Sequence, residues 1–147
     1  SQEQQQVGGV DKVVEILTQM EKGLDYKILD RIEEQDPEMA EEIRKKMFTF
    51  DDLANIDNRG MQLILREVRN ETLTMSLKTA SSKVQQKILG NISERAKTMI
   101  EEDLETLGPV RLSDVESAQQ SIVQLALRLE EEGKIVIPGR GGEEVLV

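Results

Sequence analysis

Residues 94–105, ERAKTMIEEDLE, carry seven charged side chains in twelve residues, and the spacing of these charges decides what chemistry they can do. An α-helix turns by about 100° per residue, so this stretch has one apolar face and one face of mixed charge. The apolar face comprises Ile92, Ala96, Met99, Ile100, Leu104 and Leu107. Asp103 falls inside that face, where a carboxylate needs a hydrogen-bond donor or water. Either a neighbouring helix offers Asp103 a backbone N–H, or the helix is only partly covered on that side.

Three uses of these charges are open. The commonest is a solvated face that binds nothing. The second is a docking surface, in which Arg95, Glu102 and Asp103 bind a charged partner through ion pairs. The third is a divalent-cation site, since Glu101, Glu102, Asp103 and Glu105 offer oxygens of the kind that Mg²⁺ and Ca²⁺ prefer. Against the third, the spacing of an EF-hand is absent and adjacent carboxylates on a helix point apart. Spacing alone does not choose between a solvated face and a docking surface.

An enzyme active site is not expected in this chain. The sequence has no His and no Cys, which removes the commonest general base and all thiolate chemistry. No Ser or Thr has a base at an activating spacing. The PGRGG turn (138–142) lacks the preceding strand, the following helix and the Lys-Ser/Thr pair of a phosphate-binding loop. We therefore predict no catalytic residue, no cofactor and no metal ligand.

The overall charge limits the class of partner. The chain has 29 acidic and 19 basic residues, a net charge of −10, which disfavours nucleic acid and favours basic protein surfaces. No apolar run reaches the roughly 18 residues that a membrane span needs, and no signal peptide is visible. We expect a cytoplasmic chain without a direct membrane span. Its start, SQEQQQ, indicates the cut end of a longer protein.

The elements that position these residues are predicted to be helices throughout, an all-α fold. Only three aromatic residues occur, whereas strands favour aromatic and β-branched side chains. Apolar spacing predicts helices over residues 10–20, 24–35 and 37–47, the third starting at Asp36-Pro37. Three short helices resemble one armadillo-like unit, which cannot bury its apolar face alone. We therefore expect this unit to pack against a segment or chain outside the sequence.

Further helices are predicted after Phe50, and most of them have a recognisable start or end. The predicted N-caps are Asp57, Asn70, Ser81 or Ser82, Ser93, and Ser113, which forms a capping box with Glu116. The predicted terminators are Gly90, Gly108 and Gly133. Two strand-like runs, KIVI (134–137) and EEVLV (143–147), flank the PGRGG turn and predict a short hairpin at the C-terminus.

Several longer sequence motifs are more specific to a protein family than the charges are. They are MFTF (47–50), DDLANIDNRGMQLILREV (51–68), SLKTA (76–80), NISERA (91–96), EEDLETLGPVRLSDVE (101–116) and RLEEEGKIVI (128–137). In this order, they resemble the C-terminal part of the FliG family of bacterial flagellar motor switch proteins. The resemblance covers residues 8–137, and GPVRLSDVE and the MFxF word are its most distinctive parts.

The resemblance implies four parts in the chain. They are a truncated or disordered linker (1–7), an armadillo-like three-helix module (8–46), an MFxF hinge (47–51) and a six-helix domain that faces the stator (52–147). It also implies five charges that act in torque, which we call the ridge charges: Lys78, Arg95, Glu102, Asp103 and Arg111. The implied hinge residues are Met47, Phe48, Thr49 and Phe50. Two positions depart from the family pattern, since aspartate is common at Glu102 and glycine is common at Thr79.

The same resemblance implies a rotor component of the flagellar motor switch complex, located at the basal body on the cytoplasmic face of the inner membrane. The ridge charges would engage the cytoplasmic loop of the stator protein MotA, and the hinge would permit reversal of rotation. The armadillo-like module would stack on the middle domain of a neighbouring FliG subunit, with FliM as a further partner in the complex. The alternative is an acidic helical regulatory domain that senses a divalent cation, like the cytoplasmic domains of a magnesium-channel family.

Overall fold

The computed structural model describes residues 2–21 and 23–138, with side chains from residue 9 onward. Within these ranges every regular element is a helix, which confirms the all-α prediction for the described part of the chain. The α-helices are α1 (Gln2–Thr18), α2 (Leu24–Gln35), α3 (Pro37–Met47), α4 (Asn58–Arg66), α5 (Asn70–Leu77), α6 (Ser82–Leu89), α7 (Glu94–Thr106) and α8 (Leu112–Glu131). A 3₁₀ helix, Phe50–Asn55, lies between α3 and α4.

The chain divides into two compact units. One ends at Phe48, and the other spans Thr49–Pro138. The first contains α1, α2 and α3, and the second contains the 3₁₀ helix and α4 to α8. The division falls inside the 47–51 segment that the resemblance implies to be a hinge.

The first unit has a small apolar core between its three helices. Val10, Leu17, Leu29 and Ile43 are buried there, and α3 packs against both α1 and α2. The predicted start of α3 is confirmed, because Asp36 Oδ1 accepts the Met39 N–H at 3.2 Å. The predicted start of the first helix at residue 10 is wrong, since α1 begins at Gln2. Glutamine and glutamate are good helix formers, and a polar run of them gives no apolar periodicity by which to find the helix.

Ion pairs join α3 to the other two helices of this unit. Arg44 is 5% exposed, and its guanidinium lies 2.9 Å from Glu33 Oε2 and 3.5 Å from Asp30 Oδ1 on α2. On the other side, Lys46 donates a hydrogen bond to Asp11 on α1. That hydrogen bond, assisted by the negative charges of Asp11 and Glu42, raises the pKa of Lys46.

The second unit is built around its longest helix. α8 packs against α5, α4 and the 3₁₀ helix, while α6 packs against α4 and the 3₁₀ helix. α7 packs on α5. The largest fully buried side chains of this unit are Leu53, Ile56, Met61, Ile64, Leu77, Val84, Ile88, Ile100 and Ile122.

Three of the predicted N-caps in this unit are confirmed. Asp57 accepts the Gly60 N–H at 2.8 Å, Ser81 accepts the Val84 N–H at 3.4 Å, and Ser93 accepts the Ala96 N–H at 3.1 Å. Each of these side chains meets a backbone donor that the first helical turn leaves without an intrahelical partner. The predicted helix ends at Gly108 and Gly133 are also confirmed, with φ angles of 68° and 75° that favour glycine.

Two predicted helix starts are wrong. α5 is preceded by Arg69 rather than capped by Asn70, because the Leu73 N–H already donates to the Arg69 carbonyl at 3.0 Å. α8 begins at Leu112, so Ser113 lies inside the helix and does not form the predicted capping box. There the Asp114 N–H donates to the Arg111 carbonyl at 3.1 Å. Neither helix has a side-chain cap, so no capping residue in the sequence marks where it begins.

The predicted C-terminal hairpin is not formed in the part of the chain that the structure describes. Residues 134–137 have no strand, and the second run, 143–147, lies outside the described residues. Ile135 and Ile137 are nevertheless buried while Val136 is 70% exposed, the alternation that suggested a strand. A Cβ built at Gly60 lies 3.6 Å from Ile135 Cβ and only 2.8 Å from Asp57 Oδ1. The 2.8 Å approach is a clash, so the glycine leaves room for the Asp57 cap, whereas 3.6 Å is an ordinary contact that places Ile135 beside the start of α4.

Candidate functional site

The helix α7 is only partly covered by the other helices of the second unit. Ile100 is fully buried and is the one buried residue of this helix, whereas Ala96 and Leu104 are half-buried and Met99 is 46% exposed. Burial is thus centred on Ile100 and Leu104, and Asp103 falls at its margin. Asp103 is exposed, so of the two explanations offered by the sequence, partial coverage of the helix is the correct one.

The ridge charges lie on or directly beside three helices, of which α5 packs against the other two. Arg95, Glu102 and Asp103 are on α7, Lys78 directly follows α5, and Arg111 directly precedes α8. α5 packs against both α7 and α8, so one scaffold carries all five residues. Their positions are therefore set by the packing of these helices.

All five ridge charges are exposed. Among the residues that the structure describes, none of their side chains forms an ion pair or a hydrogen bond. By contrast, Arg44, Lys46 and Arg128 each meet a carboxylate of the chain. The ridge charges are therefore available to a partner without the loss of an internal contact.

The acidic residues of α7 do not assemble into a cation site. Within residues 9–21 and 23–138, whose side chains the structure describes, no group of three or more carboxylates lies close enough to hold a metal ion. Glu101, Glu102, Asp103 and Glu105 are all exposed on a helical surface, where successive side chains diverge. The divalent-cation alternative therefore has no support in the described structure.

The predicted hinge residues occupy the junction between α3 and the 3₁₀ helix. Met47 ends α3 and is half-buried, Phe48 follows in an extended conformation, and Phe50 begins the 3₁₀ helix. Phe48 and Phe50 are 8% and 7% exposed. Both aromatic side chains of the segment are therefore buried, whereas Met47 is only partly covered.

Asp52, which was not among the predicted hinge residues, holds Thr49 at the start of the second unit. Asp52 Oδ2 accepts the Thr49 N–H at 2.8 Å and the Thr49 hydroxyl at 3.0 Å. Thr49 is thereby fixed to the start of the second unit. The signal was present, because Thr49 and Asp52 have the T-x-x-D spacing of a helix start.

Two glutamines were also missed. Gln85 on α6 and Gln119 on α8 donate hydrogen bonds to the C-terminal end of α5, beside Lys78. Nothing in the local sequence identifies them, because their partners lie 8 and 43 residues away in the chain.

No helix in the described ranges combines the length and the apolar character needed to cross a bilayer.

Comparison with known proteins assigns the chain to a family. The sequence model described as FliG C-terminal domain matches residues 30–137. The flagellar motor switch protein FliG of Bacillus subtilis is 45% identical over 147 residues, and that of Borreliella burgdorferi is 48% identical over 147 residues. These matches cover 100% of this chain but only 44% and 43% of the two relatives. The chain thus spans about two fifths of the length of the relatives it matches.

Solved structures agree with the sequence comparison. A crystal structure of a FliG fragment from Helicobacter pylori has a TM-score of 0.75 and 34% identity, covering 84% of this chain and 54% of that one. Full-length FliG from Aquifex aeolicus has a TM-score of 0.62 and 38% identity, covering 85% of this chain and 39% of that one. With most of its length matched in both sequence and structure, the chain belongs to the family of the FliG C-terminal domain.

Proposed function

We propose that this chain is the force-receiving part of a rotor protein in the bacterial flagellar motor switch complex. Its relatives are named flagellar motor switch proteins. The observation that carries the proposal is the set of five ridge charges, exposed and without partners in the described structure, on packed helices. We propose that they receive force from the cytoplasmic loop of the stator protein MotA.

Exposed charges suit a contact that must form and break at every step. An exposed ion pair contributes only about 0–1 kcal/mol, so it can be released quickly, whereas a large apolar contact dissociates slowly. At physiological salt, screening limits the reach of such charges to about 8 Å, so each rotor subunit is sensed locally. The ridge charges include three bases and two acids, and mixed signs allow attraction to one stator patch and repulsion from the next.

Charge reversal on α7 tests this proposal. We expect Arg95→Glu and Asp103→Lys to reduce swimming speed strongly while the chain stays folded, because both side chains are exposed. The opposite reversal in the stator loop should restore part of the speed. The matched control is Glu101→Lys, which changes the net charge as much as Asp103→Lys does but on another side of the same helix. Normal swimming of a strain that carries Arg95→Glu and Asp103→Lys together, with an unchanged stator, contradicts the proposal.

The first unit supports a place in a ring of subunits. Ile16, Leu24 and Tyr26 are 53%, 46% and 45% exposed there, a large apolar exposure for three short helices. We propose that exposed apolar side chains of this unit pack on the middle domain of a neighbouring FliG subunit, as expected for a single armadillo-like unit that cannot bury its own face. FliM is the further partner that we propose within the switch complex, at the flagellar basal body on the cytoplasmic face of the inner membrane.

The junction at Met47–Phe50 is proposed to be the hinge that reverses rotation. The Phe48 N–H donates to the Lys45 carbonyl at 3.3 Å, and Asp52 holds Thr49, so we place the rotation at the bond between these two holds, the extended ψ of 124° at Phe48. A short segment with two buried aromatic side chains can dock in two arrangements of similar free energy, which makes a bistable element. A bias of a few kcal/mol from upstream then selects one arrangement.

A further inference from the structure

The turn that carries Lys78 is held by side chains from two other helices. Gln119 Nε2, on α8, lies 2.9 Å from the Ser76 carbonyl oxygen and 3.1 Å from Thr79 Oγ1. Gln85 Nε2, on α6, lies 3.0 Å from the Leu77 carbonyl oxygen. The single amide group of Gln119 therefore binds residues on both sides of Lys78.

We propose that Gln119 is a positioning residue that fixes the direction in which Lys78 faces its partner, with Gln85 as a second support. The inference rests on the proposed function of Lys78 and deepens it. Lys78 has no side-chain partner among the described residues, so the backbone of its turn sets the point from which its flexible side chain reaches a partner. That backbone is what the two glutamines hold.

The physical basis is the shortage of donors at the end of a helix. The last carbonyls of α5 have no intrahelical donor, and Ser76 and Leu77 are fully buried. The Lys78 N–H donates a hydrogen bond to the Met75 carbonyl, and the Ala80 N–H donates one to the Leu77 carbonyl, each at 3.2 Å. The Ser76 carbonyl is left for Gln119. Removing that donor leaves a buried acceptor unsatisfied, and the turn gains freedom to move toward water.

Gln119→Met is the variant that isolates this role, because methionine keeps the length and packing of the side chain and removes both donated bonds. Gln120→Met is the matched control, since Gln120 is the exposed neighbour on the same helix. We expect amide hydrogen exchange at Lys78 and Ala80 to become about three- to tenfold faster in Gln119→Met and to stay unchanged in Gln120→Met. Thr79→Val, which removes one of the two bonds, should show a smaller acceleration at the same amides.

A double-mutant cycle on motor torque separates positioning from general stability. Gln119→Met should reduce torque when Lys78 is present and add no further loss in a Lys78→Ala background. A purely structural role would produce the same proportional loss in both backgrounds. Unchanged exchange at Lys78 and Ala80, or an equal loss of torque in both backgrounds, overturns the inference. Wild-type torque in Lys78→Ala alone instead contradicts the proposed function of Lys78, so the two failures are distinguishable.

Discussion

Ile100→Ala is expected to lower the free energy of unfolding of the Thr49–Pro138 unit by about 2–5 kcal/mol, the cost of truncating a buried isoleucine. Ile100 is 0% exposed and is the one buried residue of α7. The rest of the apolar face is half-buried or exposed, so little else holds this helix against α5. Urea unfolding followed by far-UV circular dichroism measures the change.

Met99→Ala is the matched control for this substitution. Met99 neighbours Ile100 on the same helix but is 46% exposed, so its truncation should cost less than about 1 kcal/mol. Because α7 carries Arg95, Glu102 and Asp103, Ile100→Ala should also impair swimming with every ridge charge still present. An equal loss of stability in the two variants would contradict the anchoring role of Ile100.

Replacing Phe48 and Phe50 by serine is expected to change the ratio of the times that a motor spends in its two directions by about tenfold. Full burial of a phenylalanine is worth about 1.5–3 kcal/mol, and a difference of about 1.4 kcal/mol between two states shifts their ratio tenfold. Both side chains are buried, so any two docked arrangements that bury them unequally respond to this change. Rotation of single tethered motors measures the ratio.

The control for the hinge variants is leucine at the same two positions, which keeps an apolar side chain. The leucine variants should switch nearly as the wild type does. Rotation speed is the second control. Motors of the serine variants that turn at normal speed still receive force through the ridge charges, so a changed ratio in them reflects reversal alone. An unchanged ratio in those motors would contradict the role of Phe48 and Phe50 in reversal.

Helix boundaries were predictable where one side chain determines them. Asp36, Asp57, Ser81 and Ser93 each bind a backbone donor within three residues, so local sequence contains the whole interaction. The start of α1 was missed because its first turns are polar, and the start of α8 was missed because no side chain caps it.

The candidate site was only partly predictable. Helical spacing offered Arg95, Glu102 and Asp103 as one of several uses of the charges, whereas Lys78 and Arg111 came only from the family resemblance. The exposure of all five residues follows from the structure. Asp103 illustrates the difference, because helical periodicity places it inside the apolar face, between Ala96 and Met99, whereas the structure buries Ile100 and leaves Asp103 and Met99 exposed. Gln119 illustrates it again, since its partner Ser76 lies 43 residues away and only tertiary packing brings them together.

The central claim is that force reaches this chain through the ridge charges, and the most direct test is the stall torque of single motors in which all five are neutralised. The substitutions are Lys78→Met, Arg95→Gln, Glu102→Gln, Asp103→Asn and Arg111→Gln. A matched control neutralises three bases and two acids that are exposed elsewhere on the second unit: Arg59, Arg66, Lys83, Glu101 and Glu105. Circular dichroism should show that both variants are folded. We then predict near-zero torque for the variant with the neutralised ridge and near wild-type torque for the control. Wild-type torque from motors with the neutralised ridge would contradict the claim.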